Sequence, residues 1–349
     1  MKTTIYSSQD IVKIVNYIGL DVFMDEAIAA LTNAFAEFDR GAYEIPIRDG
    51  FEYHYPTLGL VEWMPTMKVN SHIVLKMVGY HPSNPIEKNL PSVLSTSFSI
   101  DTQTGHVTGI MDSTFTTAIR TAAASAIASR ILAKSDSAVL GLVGCGAQAI
   151  SQLHALSRVM PLQQVLLFDT DMAVSGSFAK RTAALGLSNI EITQVPLAEL
   201  VSRADIICTT TSVDIGQGPV FNDHMLQPHV HINAVGSDFP GKIEVPVSAL
   251  KRSLVCPDFL QQAMLEGECQ QLCADDIGPD IAQLVQKSAE YEKYQSQTTV
   301  FDSTGWALED FVMNNLVAKY ASELNCGTEV QMTTAAQDCK DPYRFLRDF

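Results

Sequence analysis

Val143-Gly144-Cys145-Gly146-Ala147-Gln148-Ala149 follows an apolar run at 138–143 and opens a stretch with helical composition. The apolar run reads as a strand buried on both faces. The seven residues fit G-x-G-x-x-A. Gly144 permits a tight turn, Gly146 lets main-chain N–H groups approach a diphosphate, and Ala149 lets the helix pack close to the strand. Phosphates placed there sit on the positive end of the helix. The next candidate strand, 164–169, ends in Asp169. A carboxylate at that place accepts hydrogen bonds from the adenosine ribose hydroxyls and repels a 2′-phosphate, which favours NAD over NADP. A glycine motif alone is weak evidence, since a tight turn can bind nothing. The strand–turn–helix context and Asp169 are what support it.

Downstream, further candidate strands at 190–195, 205–211, 229–236, 253–258 and 298–303 are mostly separated by helical stretches, and 307–324 reads as a helix leading away. Alternation of this kind predicts an α/β fold, a Rossmann-type doubly wound parallel sheet. Upstream the texture differs. Residues 9–40 carry helical stripes, Ile11, Ile14, Val15 and Ile18 and then Ala27, Leu31, Ala34 and Phe35. Strand-like runs follow at 58–64, 72–78 and 94–100, with a hairpin turn at Asp101-Thr102-Gln103-Thr104-Gly105. Helix followed by strands predicts an α+β domain. An Ala-rich helix at 115–133 links the two. The expected domains are 1–122, with 312–349 returning to it, and 123–311.

The chain has 349 residues and a net charge of −16. An acidic surface repels nucleic acid and anionic membrane, so neither is expected as a partner. No stretch approaches the roughly 20 apolar residues of a membrane-spanning helix, and the first twenty residues do not read as a signal peptide. A cytoplasmic protein is expected. The seven cysteines are scattered and complete no zinc pattern. His81 and His154 have no ligand-spaced partner, so no metal is expected. His72, His229 and His231 fall in strand-like runs and read as structural.

Five further stretches lie in order along the chain: 60–65, 75–82, 117–125, 233–242 and 300–310. With the glycine loop they resemble the ornithine cyclodeaminase/μ-crystallin family over nearly the whole length. The resemblance implies an NAD enzyme whose α+β domain binds substrate and forms a homodimer. By the same resemblance, Arg120 in Ala118-Ile119-Arg120-Thr121 holds the substrate carboxylate and reaches the cofactor. A planar guanidinium suits that task because it binds a carboxylate bidentately. Lys76 stands near the same carboxylate, and Arg48 is a further carboxylate-binding arginine. Glu62 in Val61-Glu62-Trp63-Met64-Pro65 stands near the amine end. Asp238 in Ser237-Asp238-Phe239-Pro240-Gly241-Lys242 is the catalytic aspartate, and Lys242 contacts the cofactor. Further implied cofactor contacts are Ser92, Gly144, Gly146, Ala147, Gln148, Asp169, Ser212, Ile232, Asn233, Ala234, Val235 and Ser303. Thr304 lines the substrate position where relatives carry valine, and Leu94 stands where methionine is expected. Taken singly, Arg120, Lys76 and Glu62 are each compatible with an ordinary surface role. As an ordered set the functional reading prevails for Arg120, Lys76 and Asp238, and is more even for Glu62 and Arg48.

The implied reaction converts L-ornithine to L-proline and ammonia. The substrate is oxidised at Cα by NAD, the δ-amine closes a five-membered ring, ammonia leaves, and the cyclic imine is reduced again. Asp238 is the candidate base for the attacking amine and the acid for the departing ammonia. Lysine cyclodeamination, amino-acid dehydrogenation and cyclic-imine reduction remain open within the family. So does a non-enzymatic μ-crystallin-like binding protein.

Overall fold

The computed structural model describes residues 1–333 and 338–347. Residues 334–337, 348 and 349 of the segment expected to return to the first domain lie outside that range. The chain forms two compact units. One comprises Met1–Ile18, Asp39–Phe115 and the described residues from Met313 onward; the other comprises Gly19–Phe38 and Thr116–Val312.

The first unit is built on an eight-stranded sheet. Its strands are β1 (Lys2–Tyr6), β2 (Tyr43–Glu44), β3 (Asp49–Tyr53), β4 (Gly59–Lys68), β5 (His72–Tyr80), β6 (Val93–Asp101) and β7 (Val107–Asp112), completed by the last strand of the chain, Thr328–Gln331. In the antiparallel run β4-β5-β6-β7 Met64 lies opposite Lys76 and Lys76 opposite Ser97, and the β6–β7 register shifts between Ser99 and Ile100. The expected turn at Asp101 joins β6 to β7, and Asp101 accepts from the main chain of Gln103 and Thr104. Alternate residues of a strand face opposite sides. One side carries Met64, Val74, Lys76, Ser97 and Met111, all buried. The helix Ala307–Glu323 lies on it through Asn314, which accepts from the Ser99 hydroxyl, and Asn315, which meets His72. The other side carries Trp63, Leu75, Met77, Phe98 and Ile110, none of them buried.

The second unit holds seven parallel strands: β8 (Val139–Val143), β9 (Gln164–Phe168), β10 (Glu191–Gln194), β11 (Ile206–Thr209), β12 (His231–Ala234), β13 (Leu254–Pro257) and β14 (Thr299–Asp302). The final strand of the first sheet, Thr328–Gln331, is then β15. Their order is β10-β9-β8-β11-β12-β14-β13, and every neighbouring pair is parallel. The order reverses between β8 and β11, and ligands of such sheets bind outside the carboxyl ends of the strands at that reversal. Alternate strand residues feed two cores. Val143, Leu166, Ile207, Ile232 and Val300 join one; Leu140, Leu142, Val165, Leu167, Ile206 and Cys208 join the other.

Gly19–Phe38 differs from the expected division, which grouped it with the first 122 residues. Its helix, Leu20–Ala36, is tied within the second unit by charge and by rings. Arg158 Nε and Nη2 bond the two oxygens of Asp25, and Arg158 Nη1 bonds Asp21. Phe35 and Phe38 pack on the ring of Trp306. Among the described residues no helix is long and apolar enough to cross a membrane.

Ile207, wholly buried at the centre of the parallel sheet, gives a direct test of that core. Ile207→Ala is expected to destabilise the protein by about 2–5 kcal/mol, since the cavity collapses only partly. Chemical denaturation followed by tryptophan fluorescence measures it.

Candidate functional site

The chain turns at Gly144 with φ at +87°, a conformation glycine adopts freely. A Cβ there would lie 2.8 Å from the carbonyl oxygen of Thr210, which follows β11. The loop is therefore pressed against the opposite lip of the strand-order reversal, and the Thr210 hydroxyl donates to Gly144 O at 2.8 Å. Gly146 behaves differently. A Cβ built on it meets nothing within 4 Å, so the space before it is open. The helix Ala147–Val159 begins immediately after, capped by Gly146 without a side-chain acceptor. Its first-turn N–H groups are therefore available to an anion. These features fit the diphosphate of a dinucleotide.

Asp169 stands beside the loop at the end of β9. Its Oδ2 accepts from Cys145 N at 2.7 Å and its Oδ1 from Asp171 N at 2.9 Å. The carboxylate is thus fixed by two main-chain donors and keeps lone pairs for a ribose. Arg181, distant in sequence, donates from Nη2 to the Cys145 carbonyl at 2.6 Å. Only tertiary structure brings this cation to the glycine loop. Burial and the nearby Asp169 push the Cys145 thiol up to about 12, so it stays neutral.

Ser212 lies just beyond β11 and is exposed. Ile232, Asn233 and Ala234 lie within β12 and are wholly buried, and Val235 is nearly so. The Asn233 amide is occupied internally, donating to Ser129 Oγ at 2.9 Å. Gly236 N and Thr211 N both donate to the buried Glu244 carboxylate, which also accepts from Thr209 and Thr211 hydroxyls. This clasp closes the segment that carries Asp238. Lys242 Nζ donates to Asp238 Oδ1 at 3.0 Å, with the Asp238 side chain 43% exposed and that of Lys242 8%.

Arg120 is 5% exposed, on the helix Thr114–Leu132. Its Nη1 donates to Glu309 Oε2 at 2.8 Å, and its Nε lies 3.4 Å from Asp310 Oδ1. Ser303 and Thr304 follow β14 and are both buried. The Thr304 hydroxyl donates to Asp258 Oδ1 and accepts from Gln262 Nε2, each at 2.9 Å. That polar environment explains why threonine can stand where relatives are expected to carry valine.

In the first unit, Arg48, Glu62 and Lys76 come together on the sheet. Arg48 Nε lies 3.2 Å from Glu62 Oε1, with both side chains largely buried. Glu62 and Met64 share a face of β4, and Met64 is opposite Lys76 in β5. Lys76 is wholly buried. Ser92 precedes β6, its carbonyl accepting from His81 N. Leu94 is 41% exposed and lines an open depression with Val61, Met77 and Thr96.

Sequence reasoning missed Asp258, Glu309 and Asp310 around Arg120, and Glu244 behind Asp238. Glu309 and Asp310 lie inside the quoted 300–310 stretch, but nothing in their spacing points to an arginine 189 residues earlier. Among the described residues no group of three or more His, Cys, Asp or Glu is arranged to hold a metal ion.

Fold and loop define a protein built on a dinucleotide-binding type of parallel sheet with a second, mostly antiparallel unit. The chain belongs to the ornithine cyclodeaminase/mu-crystallin family, whose profile matches residues 8–325. It is 37% identical to the L-lysine cyclodeaminase of Streptomyces rapamycinicus, over 98% of this chain and 99% of the relative. It is 30% identical to an ornithine cyclodeaminase of Agrobacterium tumefaciens, over 97% and 93%. Among solved structures, a lysine cyclodeaminase studied for recognition of L-lysine, L-ornithine and L-2,4-diaminobutyric acid superposes with a TM-score of 0.95 at 44% identity, covering 99% of each chain. An archaeal alanine dehydrogenase dimer with bound NAD superposes with a TM-score of 0.84 at 31% identity, covering 95% of this chain and 100% of that one.

Gly146 separates binding from folding. Gly146→Ala is expected to leave the melting temperature unchanged, because its Cβ meets no protein atom. It is also expected to weaken NADH binding about tenfold or more, by occupying the space a diphosphate needs. Thermal melts and NADH fluorescence titration measure the two effects separately.

Proposed function

We propose that the protein is an NAD-dependent cyclodeaminase of L-α,ω-diamino acids. The observation that carries this reading is Asp238, a carboxylate held by Lys242 yet partly open to solvent, just beyond the carboxyl end of a central parallel strand. A general base needs that combination of fixed geometry and access. L-Ornithine giving L-proline and ammonia is the first reaction proposed. L-Lysine giving piperidine-2-carboxylate and ammonia is the second, favoured by the higher identity to lysine cyclodeaminase.

The glycine loop, Asp169 and the NAD held by a solved relative support NAD as the cofactor. When bound, NAD supplies a reversible two-electron oxidation at the substrate Cα and ends each turnover as it began. Arg120 binds the substrate carboxylate, and Lys76 is a second cation for the same group. Glu62, oriented by Arg48, takes the ω-ammonium group. Asp238 accepts a proton from that ammonium, so that the neutral amine can attack Cα. It then returns a proton to the departing ammonia. Lys242 orients Asp238 and contacts the cofactor. Ser92, Ala147, Gln148, Ser212, the 232–235 strand end and Ser303 complete the cofactor contacts, and Thr304 lines the substrate position.

The face of the first sheet carrying Trp63, Leu75, Met77 and Phe98 supports a homodimer formed through that unit, as does the dimer of the alanine dehydrogenase relative. We place the protein in the cytoplasm, in keeping with its unpaired cysteines.

Purified protein given catalytic NAD is expected to release ammonia and proline from L-ornithine, or piperidine-2-carboxylate from L-lysine, with no net NADH. Stoichiometric NADH with a 2-oxo acid would establish a dehydrogenase instead. Tight NAD binding without turnover of any diamino acid, alanine or cyclic imine would establish a binding protein. Asp238→Asn is expected to lower turnover at least about 100-fold while NADH titration shows binding preserved. Loss of binding in that variant would remove Asp238 from the base role.

A further inference from the structure

Arg120 is surrounded by more negative groups than one guanidinium can balance. The charged groups facing Glu309 are Arg120 from the helix Thr114–Leu132, Asp258 from the segment after β13, and Asp310 from its own helix. Exposure is 0% for Asp258 and Glu309 and 5% for Arg120 and Asp310. Gly305 backs the guanidinium: a Cβ there would lie 2.6 Å from Arg120 Nη1 and 2.7 Å from Nη2. The arginine is therefore held between a glycine and the carboxyl groups of Glu309 and Asp310, with the Asp258 charge nearby.

The three acids are not equivalent. Asp258 accepts three hydrogen bonds, from Phe259 N, the Thr304 hydroxyl and Gly305 N. Burial pushes the Asp258 carboxyl up, and those three donors offset part of that push. Asp310 pairs with Arg120 Nε. Glu309 receives one bond, at Oε2 from Arg120 Nη1, and its buried Oε1 has no partner among the described residues. With a single donor, Glu309 has less than Asp258 to offset the burial of a negative charge, and a proton on it relieves the crowding by Asp258 and Asp310.

We propose that Glu309 is a proton-coupled positioning residue. It holds Arg120 in place as a neutral acid, and a ligand carboxylate binds Arg120 only while Glu309 carries its proton. The proposal rests on the reading of Arg120 as the carboxylate-binding residue. If Glu309 were ionised, a ligand would add a third carboxylate to a guanidinium already paired with two, with Asp258 close by, in a buried setting. Burial, opposed by Arg120 and reinforced by Asp258, pushes the Glu309 carboxyl up to about 8. Below pH 8 Glu309 is protonated and the ligand binds without a proton change. Above pH 8 Glu309 is ionised, so binding takes up a proton and weakens as pH rises.

The probe is pentanoate, a carboxylate without a group titrating near neutrality, added to protein saturated with NADH. Titration calorimetry in buffers of different ionisation enthalpy counts the protons. Uptake is expected to rise from about 0.1 proton per site at pH 7 to about 0.9 at pH 9, and affinity to fall roughly tenfold per pH unit above pH 8. Glu309→Gln keeps the shape and the acceptor oxygen. It is expected to bind pentanoate with constant affinity from pH 7 to 9 and no proton uptake. Wild-type affinity that is flat over this range, or unchanged uptake in Glu309→Gln, overturns the proposal while leaving the carboxylate role of Arg120 intact. Equal pentanoate binding by Arg120→Gln, or no binding by the wild type at pH 6.5, overturns the reading of Arg120 and the proposal with it. A Glu309 that was merely structural would alter melting temperature without altering the proton count.

Discussion

Carboxylates placed at the carboxyl edge of the parallel sheet hold the loops there by their main-chain N–H groups. Asp169 takes Cys145 N, Glu244 takes Thr211 N and Gly236 N, Asp258 takes Gly305 N, and Asp302 takes Glu268 N and Cys269 N. Loops that leave strand ends lose their ladder partners. A buried N–H left without an acceptor costs about 1–3 kcal/mol. A charged acceptor that takes two such groups removes that cost twice and fixes the path of the loop. Each of the four carboxylates is separated from its donors in sequence or joins two separate segments, so the edge behaves as one tied assembly.

Glycines accompany the carboxylates because a side chain would collide with this arrangement. A Cβ at Gly236 would lie 2.4 Å from Glu244 Oε1, and one at Gly267 would lie 2.8 Å from each Asp302 carboxylate oxygen. The Gly305 Cβ would strike Arg120. Glycine and acid are thus two parts of one device: the acid draws the backbone in, and the absent side chain allows it to come close. The price appears in protonation. Burial and the neighbouring Asp258 push Asp302 up to about 7, so this tie is held near the limit of its ionised form. The same crowding of acids gives Glu309 its unusual position beside Arg120.

Much of the parallel unit was legible because its signals are local. The apolar strands, the glycine loop and Asp169 at the end of the following strand all lie within short windows, and β8 to β14 fall inside the expected runs. The first unit was less legible. β1 and β15 pair with each other from opposite ends of the chain, Lys2 against Gln331, and neither carries a strong apolar run. β2 and β3 are short and partly polar, so propensity does not mark them. The helix Leu20–Ala36 has a clear apolar stripe, but a stripe does not say which core it enters. That was decided by Arg158, Asp21, Asp25 and the ring of Trp306.

By itself the sequence determined the class of sheet, the place of the phosphate cradle and an ordered set of ionisable residues. These depend on residue type at short spacing, where backbone geometry leaves few alternatives. Only the tertiary structure decided what those residues touch: that Arg181 reaches the Cys145 carbonyl, that the Thr304 hydroxyl bridges Asp258 and Gln262, and that Arg120 pairs with both Glu309 and Asp310. The state of a buried charge depends on neighbours brought from distant segments and on the water they exclude, and neither is written in the spacing of one chain.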